Sequence, residues 1–419
     1  MSTSAQDVFL RRTQIIFIAT IMVSCMAHAM DVSAHSTAFA GWRASAPSAV
    51  IPVAVFGEDD RQELPPELHQ LKKSIGLVYS NSARSVCTGF CVAPNVVATA
   101  SHCLFRTEGE QRPLLRRFRF ALRAASPRRE SPIEGYRTNN PGQFVLAGSR
   151  KLRVVPPIDA TKDWALMRLQ KPICQNAALP LADIIRENLG VAHNTRTLEQ
   201  ISFHNDISNW RLSYSGQCQT IKPGKQVSKE KIARDFKGAE GLVLHGCDTG
   251  GASSGSPVFQ RGADNKLRVV AINVGTYIQT KVVTRGGRIV RRYQADAIAN
   301  TAVTTQKIRV FLSYFSQADI IESPRTLRLL QAELKSRGFY NYPIDGSFGP
   351  ATRRAIQAYS GTPELELAGL PTGKLLKRLL PKNKNINTHR VLQAPKPARP
   401  RPSPKPAKGD WRRSFVNPG

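Results

Sequence analysis

Three segments of the 419-residue chain carry side chains able to do chemistry together. The first runs Cys87-Thr88-Gly89-Phe90 and then Val96-Val97-Ala98-Thr99-Ala100-Ser101-His102-Cys103. The second is Lys162-Asp163-Trp164-Ala165-Leu166. The third is Cys247-Asp248-Thr249-Gly250-Gly251-Ala252-Ser253-Ser254-Gly255-Ser256-Pro257. A serine hydroxyl is a poor nucleophile until a base takes its proton. Ser254 supplies such a hydroxyl and His102 such a base. Asp163 would fix the imidazole tautomer and stabilise its charged form. Singly the segments say little, because a histidine after a strand is ordinarily structural and Ser-Gly-Ser is ordinarily a loop. Together they suit acyl transfer through a covalent intermediate.

The elements around these segments must hold them in place. From Pro52 to Phe315 the chain is a series of short β-type runs, such as Asn95 to Ala100, Trp164 to Leu169, Pro257 to Gln260 and Leu267 to Val274. Short, irregularly spaced runs of this kind predict an all-β sandwich or barrel. Ala297 to Phe315 has apolar residues at helical spacing and predicts a closing helix. Beyond Ser323-Pro324 the texture changes. Leu327, Leu330 and Leu334 share a helical face, as do Ala355, Ile356 and Tyr359, and Leu375, Leu376 and Leu379, with an Asp345-Gly346 turn between the first two sets. This is a small, mainly α module. From Pro381 onward the chain is Pro-rich and basic, with ten Lys and Arg against Asp410 alone, and reads as an extended, disordered tail.

The ends of the chain, its charge and its cysteines narrow the setting. Arg11 and Arg12 precede an apolar run from Ile15 to Met26 and then Ala27-His28-Ala29, the pattern of a secretory signal. A lipoprotein reading through Cys25 is the alternative. Residues 30–51 read as a leader or pro-segment. Cleavage after Ala29 removes Cys25 and leaves six cysteines, an even number that suits disulfides in an exported chain. Paired short Cys or His spacings are missing, so no metal site is expected, and no cofactor is required. With 60 Lys+Arg against 30 Asp+Glu the formal charge is +30, which implies anionic partners. Export and the lack of a nucleic-acid motif argue against nucleic acid. Lys281 to Arg292 reads as a basic hairpin around Gly286-Gly287, either a solvated face or an anion-binding exosite.

In chain order, His102, Asp163 and Ser254 resemble the trypsin-like, chymotrypsin-fold serine proteases. The likeness covers roughly residues 52–316 and is nearest the bacterial glutamyl-endopeptidase-like branch, in which Val55-Phe56-Gly57-Glu58-Asp59-Asp60-Arg61 looks like a mature start. It implies two six-stranded β-barrels, with the catalytic His102, Asp163 and Ser254 in the cleft between them. It also implies an oxyanion hole from the N–H groups of Ala252 and Ser254, and a specificity pocket with Asp248, Asn273 and Gly275. A free Asp248 carboxylate would select Arg or Lys; the other reading is that Asp248 braces its loop. The family has Gly where this chain has Ala252. Ser253 as nucleophile would restore a glycine at Gly251 but break the Ser-Gly-Ser-Pro match. The resemblance implies bridges Cys87–Cys103 and Cys218–Cys247, leaving Cys91 and Cys174 as the third pair.

Leu330-Gln331 to Phe339-Tyr340, followed by Ile344-Asp345-Gly346-x-Phe348-Gly349-Pro350-x-Thr352, resembles the peptidoglycan-binding domain found beside bacterial wall hydrolases. It spans about residues 323–381, before a tail at 382–419. Tyr340, Tyr342, Asp345 and Phe348 are the candidate wall contacts, with a core position as the other reading of Phe348. The whole predicts a periplasmic or secreted, wall-associated monomeric serine endopeptidase. It acts on protein substrates and binds peptidoglycan or another anionic envelope polymer. The rivals are an inactive scaffold of the same fold and a wall-lytic enzyme.

Overall fold

The computed structural model describes residues 54–105, 115–138, 141–153, 156–182, 197–221, 228–285, 288–360 and 369–380. The signal, leader and basic tail of the sequence reading lie outside these. Among the described residues no helix is long and apolar enough to cross a membrane.

Strand β1 (Gln62–Glu63) is followed by β2 (Ile75–Ser80), β3 (Ser85–Ala93), β4 (Val96–Thr99), β5 (Arg119–Leu122), β6 (Arg129–Pro132), β7 (Val145–Ala147) and β8 (Ala165–Arg168). The first sheet is antiparallel, in the order β6-β5-β2-β3-β4-β8-β7. Its central strands are buried on both faces, which explains continuous apolar runs such as Val96-Val97-Ala98 rather than alternation. The sheet curls until β6 meets β8 through an Ile133–Leu169 bridge, with Glu134 N–H donating to Arg168 O at 2.9 Å. Six strands form the ring, and β7 is added outside it.

The second sheet uses β9 (Thr197–Phe203), β10 (Leu212–Gln219), β11 (Leu242–His245), β12 (Pro257–Arg261), β13 (Leu267–Arg285) and β14 (Arg288–Thr304), in the order β1-β10-β9-β12-β13-β14-β11. It curls likewise: Thr220 bridges His245, and Gly246 N–H donates to Gln219 O at 2.9 Å. The seventh member of each sheet, β7 or β1, has three or two residues, too few for any periodicity to reveal.

The closing helix starts later than its apolar spacing predicts. Ala297 to Thr304 continue β14, held by β13 on one side and β11 on the other. Two partner strands outweigh a weak helical periodicity here. After α1 (Lys229–Asp235), the helix α2 runs Gln306–Gln317.

The C-terminal unit comprises α3 (Pro324–Ser336), α4 (Pro350–Ser360) and α5 (Gly373–Leu379). Pro324 and Pro350 open their helices, where a missing N–H is harmless. Leu327, Leu330, Leu334, Ile356, Leu375 and Leu379 face inward. Buried Gln331 ties down the turn between α3 and α4. Its Nε2 approaches Asp345 Oδ1 (2.8 Å), Ser347 O (3.1 Å) and Thr352 Oγ1 (3.1 Å), and its Oε1 accepts the Gly346 N–H at 2.8 Å. The unit packs on the first sheet. Arg168 Nη1 donates to Ala318 O at 2.6 Å, Gln143 Nε2 to Ile321 O, and Arg353 Nη2 to Gly142 O.

Replacing Gln331 by Leu keeps the volume but strands those polar groups. A stability loss of about 2 kcal/mol or more is expected in denaturant unfolding. An unchanged midpoint would show that packing alone holds the turn.

Candidate active site

His102 stands on a helical turn, Ser101–Cys103, directly after β4. Two covalent or polar ties fix that turn to its surroundings. Cys103 is bridged to Cys87 on β3, with Cα atoms 6.0 Å apart, and Ser101 Oγ donates to Ser149 O. Asp163 precedes β8, the strand paired with β4, so neighbouring strand ends deliver the two side chains to one place. The Trp164 ring beside it stacks on Phe311 of α2.

One carboxylate grips the histidine twice. Asp163 Oδ1 accepts the His102 backbone N–H at 2.9 Å, and Oδ2 accepts the ring Nδ1–H at 2.7 Å. In the neutral ring this leaves the Nε2 lone pair directed elsewhere. Burial alone would push the imidazole pKa down; the charge and hydrogen bond of Asp163 together outweigh it and hold the pKa above its usual value.

The loop that carries Ser254 comes from the second sheet and is held by the first. Thr88 on β3 donates its N–H to Ser254 O at 2.9 Å and its Oγ1–H to Ala252 O at 2.8 Å. The same Oγ1 accepts the Phe203 N–H at 3.0 Å. Gly255, at φ +84°, lies so close that a Cβ would fall 2.3 Å from Thr88 O and 2.2 Å from Thr99 Oγ1. The Cys103 sulfur is 3.9 Å from His102 Nε2 and 3.8 Å from Ser254 O, so both flank one disulfide. Sequence reading gave Thr88 no role; its place after the bridged Cys87 was the one available hint.

Two serines compete in this loop. Ser253 is buried, with its Oγ and O both facing the Asn273 amide. Ser254 is partly exposed. Ala252 adopts φ +76°, the left-handed region, at a cost of about 1–2 kcal/mol for a residue with a Cβ. Its peptide is nonetheless fixed: Gly251 O accepts the Asn205 N–H at 2.7 Å, which turns the Ala252 N–H the opposite way. Ser253 O accepts the Ser256 N–H at 3.0 Å, which does the same for Ser254 N–H. Among the described residues neither of these two N–H groups has a protein acceptor.

The expected specificity residues are placed differently. Asp248 is buried, and both its oxygens are engaged, accepting Phe56 N–H at 2.8 Å and Asp60 N–H at 2.9 Å. It is therefore a brace for residues 54–60 and not an open pocket carboxylate, a correction to the Arg or Lys reading. Ala54 adds a two-bond bridge to Thr249. Arg61 extends the clamp to Asp59 and Asp206, and leaves no room for a side chain at Gly250. Asn273 is likewise buried, between His245 and Ser253. Gly275 is partly exposed, and its carbonyl accepts from Thr301.

His245 and His204 buttress the loop. His245 Nδ1 accepts the Cys247 N–H at 3.3 Å, so its proton is on Nε2, facing Asn273 Oδ1. His204 Nδ1 accepts the Gly250 N–H at 2.9 Å, with Nε2 facing Ser202 Oγ. Burial pushes each imidazole down to about 4.

The remaining bridges are Cys91–Cys174 and Cys218–Cys247. Cys87, His102 and Cys103 put potential metal ligands within 4.8 Å of one another, but both sulfurs are joined in the disulfide. In the C-terminal unit Tyr342 is exposed, and so is Asp345, whose carboxylate binds Gln331 and the Ser347 N–H. Tyr340 and Phe348 are core residues, 3% and 2% exposed, which removes them as surface contacts.

Residues 325–360 match the family model described as "Putative peptidoglycan binding domain". The C-terminal helical unit is similar to that family. No curated protein matches the chain. A solved structure, "Structure of Glu endopeptidase in complex with MPD", aligns at 16% identity with a TM-score of 0.35, covering 62% of this chain and 98% of that one.

Two outcomes follow from the buttresses and from Thr88. Both buried histidines bind fewer protons folded than unfolded between their ordinary value of 6.5 and about 4. Stability should therefore fall as pH drops through that window and level off below it, by roughly 3 kcal/mol per histidine. Urea midpoints across the window measure this, and His204→Asn with His245→Asn should flatten the slope. Thr88→Val should cost about 1–3 kcal/mol by the same assay, because it orphans Ala252 O and the Phe203 N–H.

Proposed function

We propose that the chain is a serine endopeptidase of the trypsin-like type, held at the cell wall by its C-terminal unit. The observation that carries the reading is the double grip of Asp163 on His102, which leaves Nε2 as the acceptor beside the Ser254 loop. His102 takes the Ser254 hydroxyl proton as the oxygen attacks a peptide carbonyl, and Asp163 stabilises the resulting imidazolium. The N–H groups of Ala252 and Ser254 receive the oxyanion, a contribution of roughly 3–4 kcal/mol per donor to the transition state. His102 then protonates the leaving amine, and water releases the acyl-enzyme by the same route. The accessibility of Ser254 and the burial of Ser253 support Ser254 as the nucleophile. No cofactor enters this scheme.

The two curled sheets are read as the paired barrels of that fold. The peptidoglycan-binding match and three disulfides support a periplasmic or secreted, wall-associated setting. Wall binding raises the local concentration of the protease near its protein substrates. The serine site attacks ordinary L-peptide bonds, so wall polymer is the anchor and not the substrate. Ala252, with a Cβ at positive φ, is the one observation on the side of an inactive scaffold.

A fluorophosphonate probe should label the mature, oxidised protein and spare Ser254→Ala. Unlabelled wild-type protein would sink the enzyme reading in favour of the scaffold. Labelling should increase with pH through a midpoint above 6.5, because the base form of His102 appears only above its raised pKa. Asp163→Asn should slow turnover on the order of 10⁴-fold through the wrong tautomer.

A further inference from the structure

The β5–β6 hairpin of the first sheet carries a second concave site, unrelated to the triad. Residues 116–129 include six arginines and no acid before Glu130. On β5, Phe120 and Leu122 point into the core, so Arg119, Ala121 and Arg123 lie on the other face. Ala121 is the small member of that face, with Glu130 across from it on β6 and Tyr79 beside Arg119 on β2. The short side chain leaves a cavity of about 210 Å³ lined by Tyr79, Ala121, Arg123, Arg128, Arg129 and Glu130. One water occupies about 30 Å³ in the liquid, so the space takes a polyatomic ion.

The charge in this cavity is one-sided. Glu130, its only acid, is already paired with Arg119 and accepts the Tyr79 hydroxyl at 2.8 Å. Arg128 and Arg129 form no ion pair among the described residues. Burial, and then the nearby charge of Arg128, disfavour the charged form of Arg123. An anion between them would relieve both effects. Planar guanidinium forks match tetrahedral phosphoryl oxygens in geometry, and three of them match the charge of a phosphomonoester or diphosphate. Strand β3 lies between β2, which contributes Tyr79 to the site, and β4, which leads to His102.

We propose that this cavity binds a phosphoryl oxyanion through Arg123, Arg128 and Arg129. The group is either a free phosphate compound or a phospholipid headgroup. The site is independent of the proteolytic reading.

Calorimetric titration of the full-length protein with inorganic pyrophosphate tests the proposal. Saturable binding is expected, weakened at least about ten-fold in Arg128→Glu/Arg129→Glu. Lys374→Glu/Lys377→Glu makes the same change in net charge elsewhere and should stay within about two-fold. Co-sedimentation with phosphatidic acid vesicles, lost in the arginine variant alone, would identify the headgroup; pyrophosphate binding without vesicle binding would identify the free form. Absence of both kinds of binding, equal weakening by the lysine control, or equal binding of succinate would overturn the proposal. Both variants alter exposed or unpaired side chains, and matching circular dichroism verifies their folds.

Discussion

Thr88 is the point at which two separately built sheets become one site. Its N–H and hydroxyl hold the carbonyls on either side of Ser253, and its own oxygens meet Phe203 and Thr99. On the proposed reading, a nucleophile on one sheet and a base on the other need sub-ångström agreement for proton transfer. Packing between two curled sheets gives no such precision, because apolar contacts are weakly directional. Directional hydrogen bonds from a residue next to the Cys87 bridge do, since Cys87 also fixes the turn that carries His102. Gly255 completes the arrangement by letting backbone meet backbone where any side chain would intrude.

Much of this was legible in the sequence, for physical reasons. The apolar runs of β4, β8 and β12 announced strands, and leucines three and four apart announced α3 and α5. His102 and Asp163 sit at strand ends whose pairing is local, so reading the strands went far toward placing them. What stayed hidden depended on contacts distant in sequence. Asp248 could be a pocket carboxylate or a brace, and the two backbone N–H groups that decide for the brace lie almost two hundred residues earlier. Tyr340 was a candidate wall contact, but a hydrogen bond from Gln331 and the α3–α4 packing draw it into the core, where Phe348 also lies. Ala297 to Thr304 read as helix because periodicity is blind to the two strands that flank it.

The conformation at Ala252 shows how a local penalty is overruled. A left-handed alanine costs about 1–2 kcal/mol, less than the sum of the hydrogen bonds that require it. The Asn205 N–H fixes the peptide before it, and the Thr88 hydroxyl fixes the carbonyl after it. Turning the peptide over would strand Asn205 N–H. The surroundings therefore hold the chain in the shape a glycine would take freely, and the Cβ is tolerated instead of reshaping the loop.

The C-terminal unit is docked as well as linked. Arg353, half-buried, donates from Nη2 to the Gly142 carbonyl, which also accepts from Arg150 Nη2. The carbonyl it binds opens the stretch 142–150, whose far end includes Ser149, the acceptor for Ser101 beside His102. On the proposed reading, an anchor built this way does more than keep the enzyme near the wall. A floating domain on a flexible linker would present the cleft in every orientation, whereas a domain packed against the first sheet fixes one. Substrates would then be selected by their position relative to the wall as well as by their sequence.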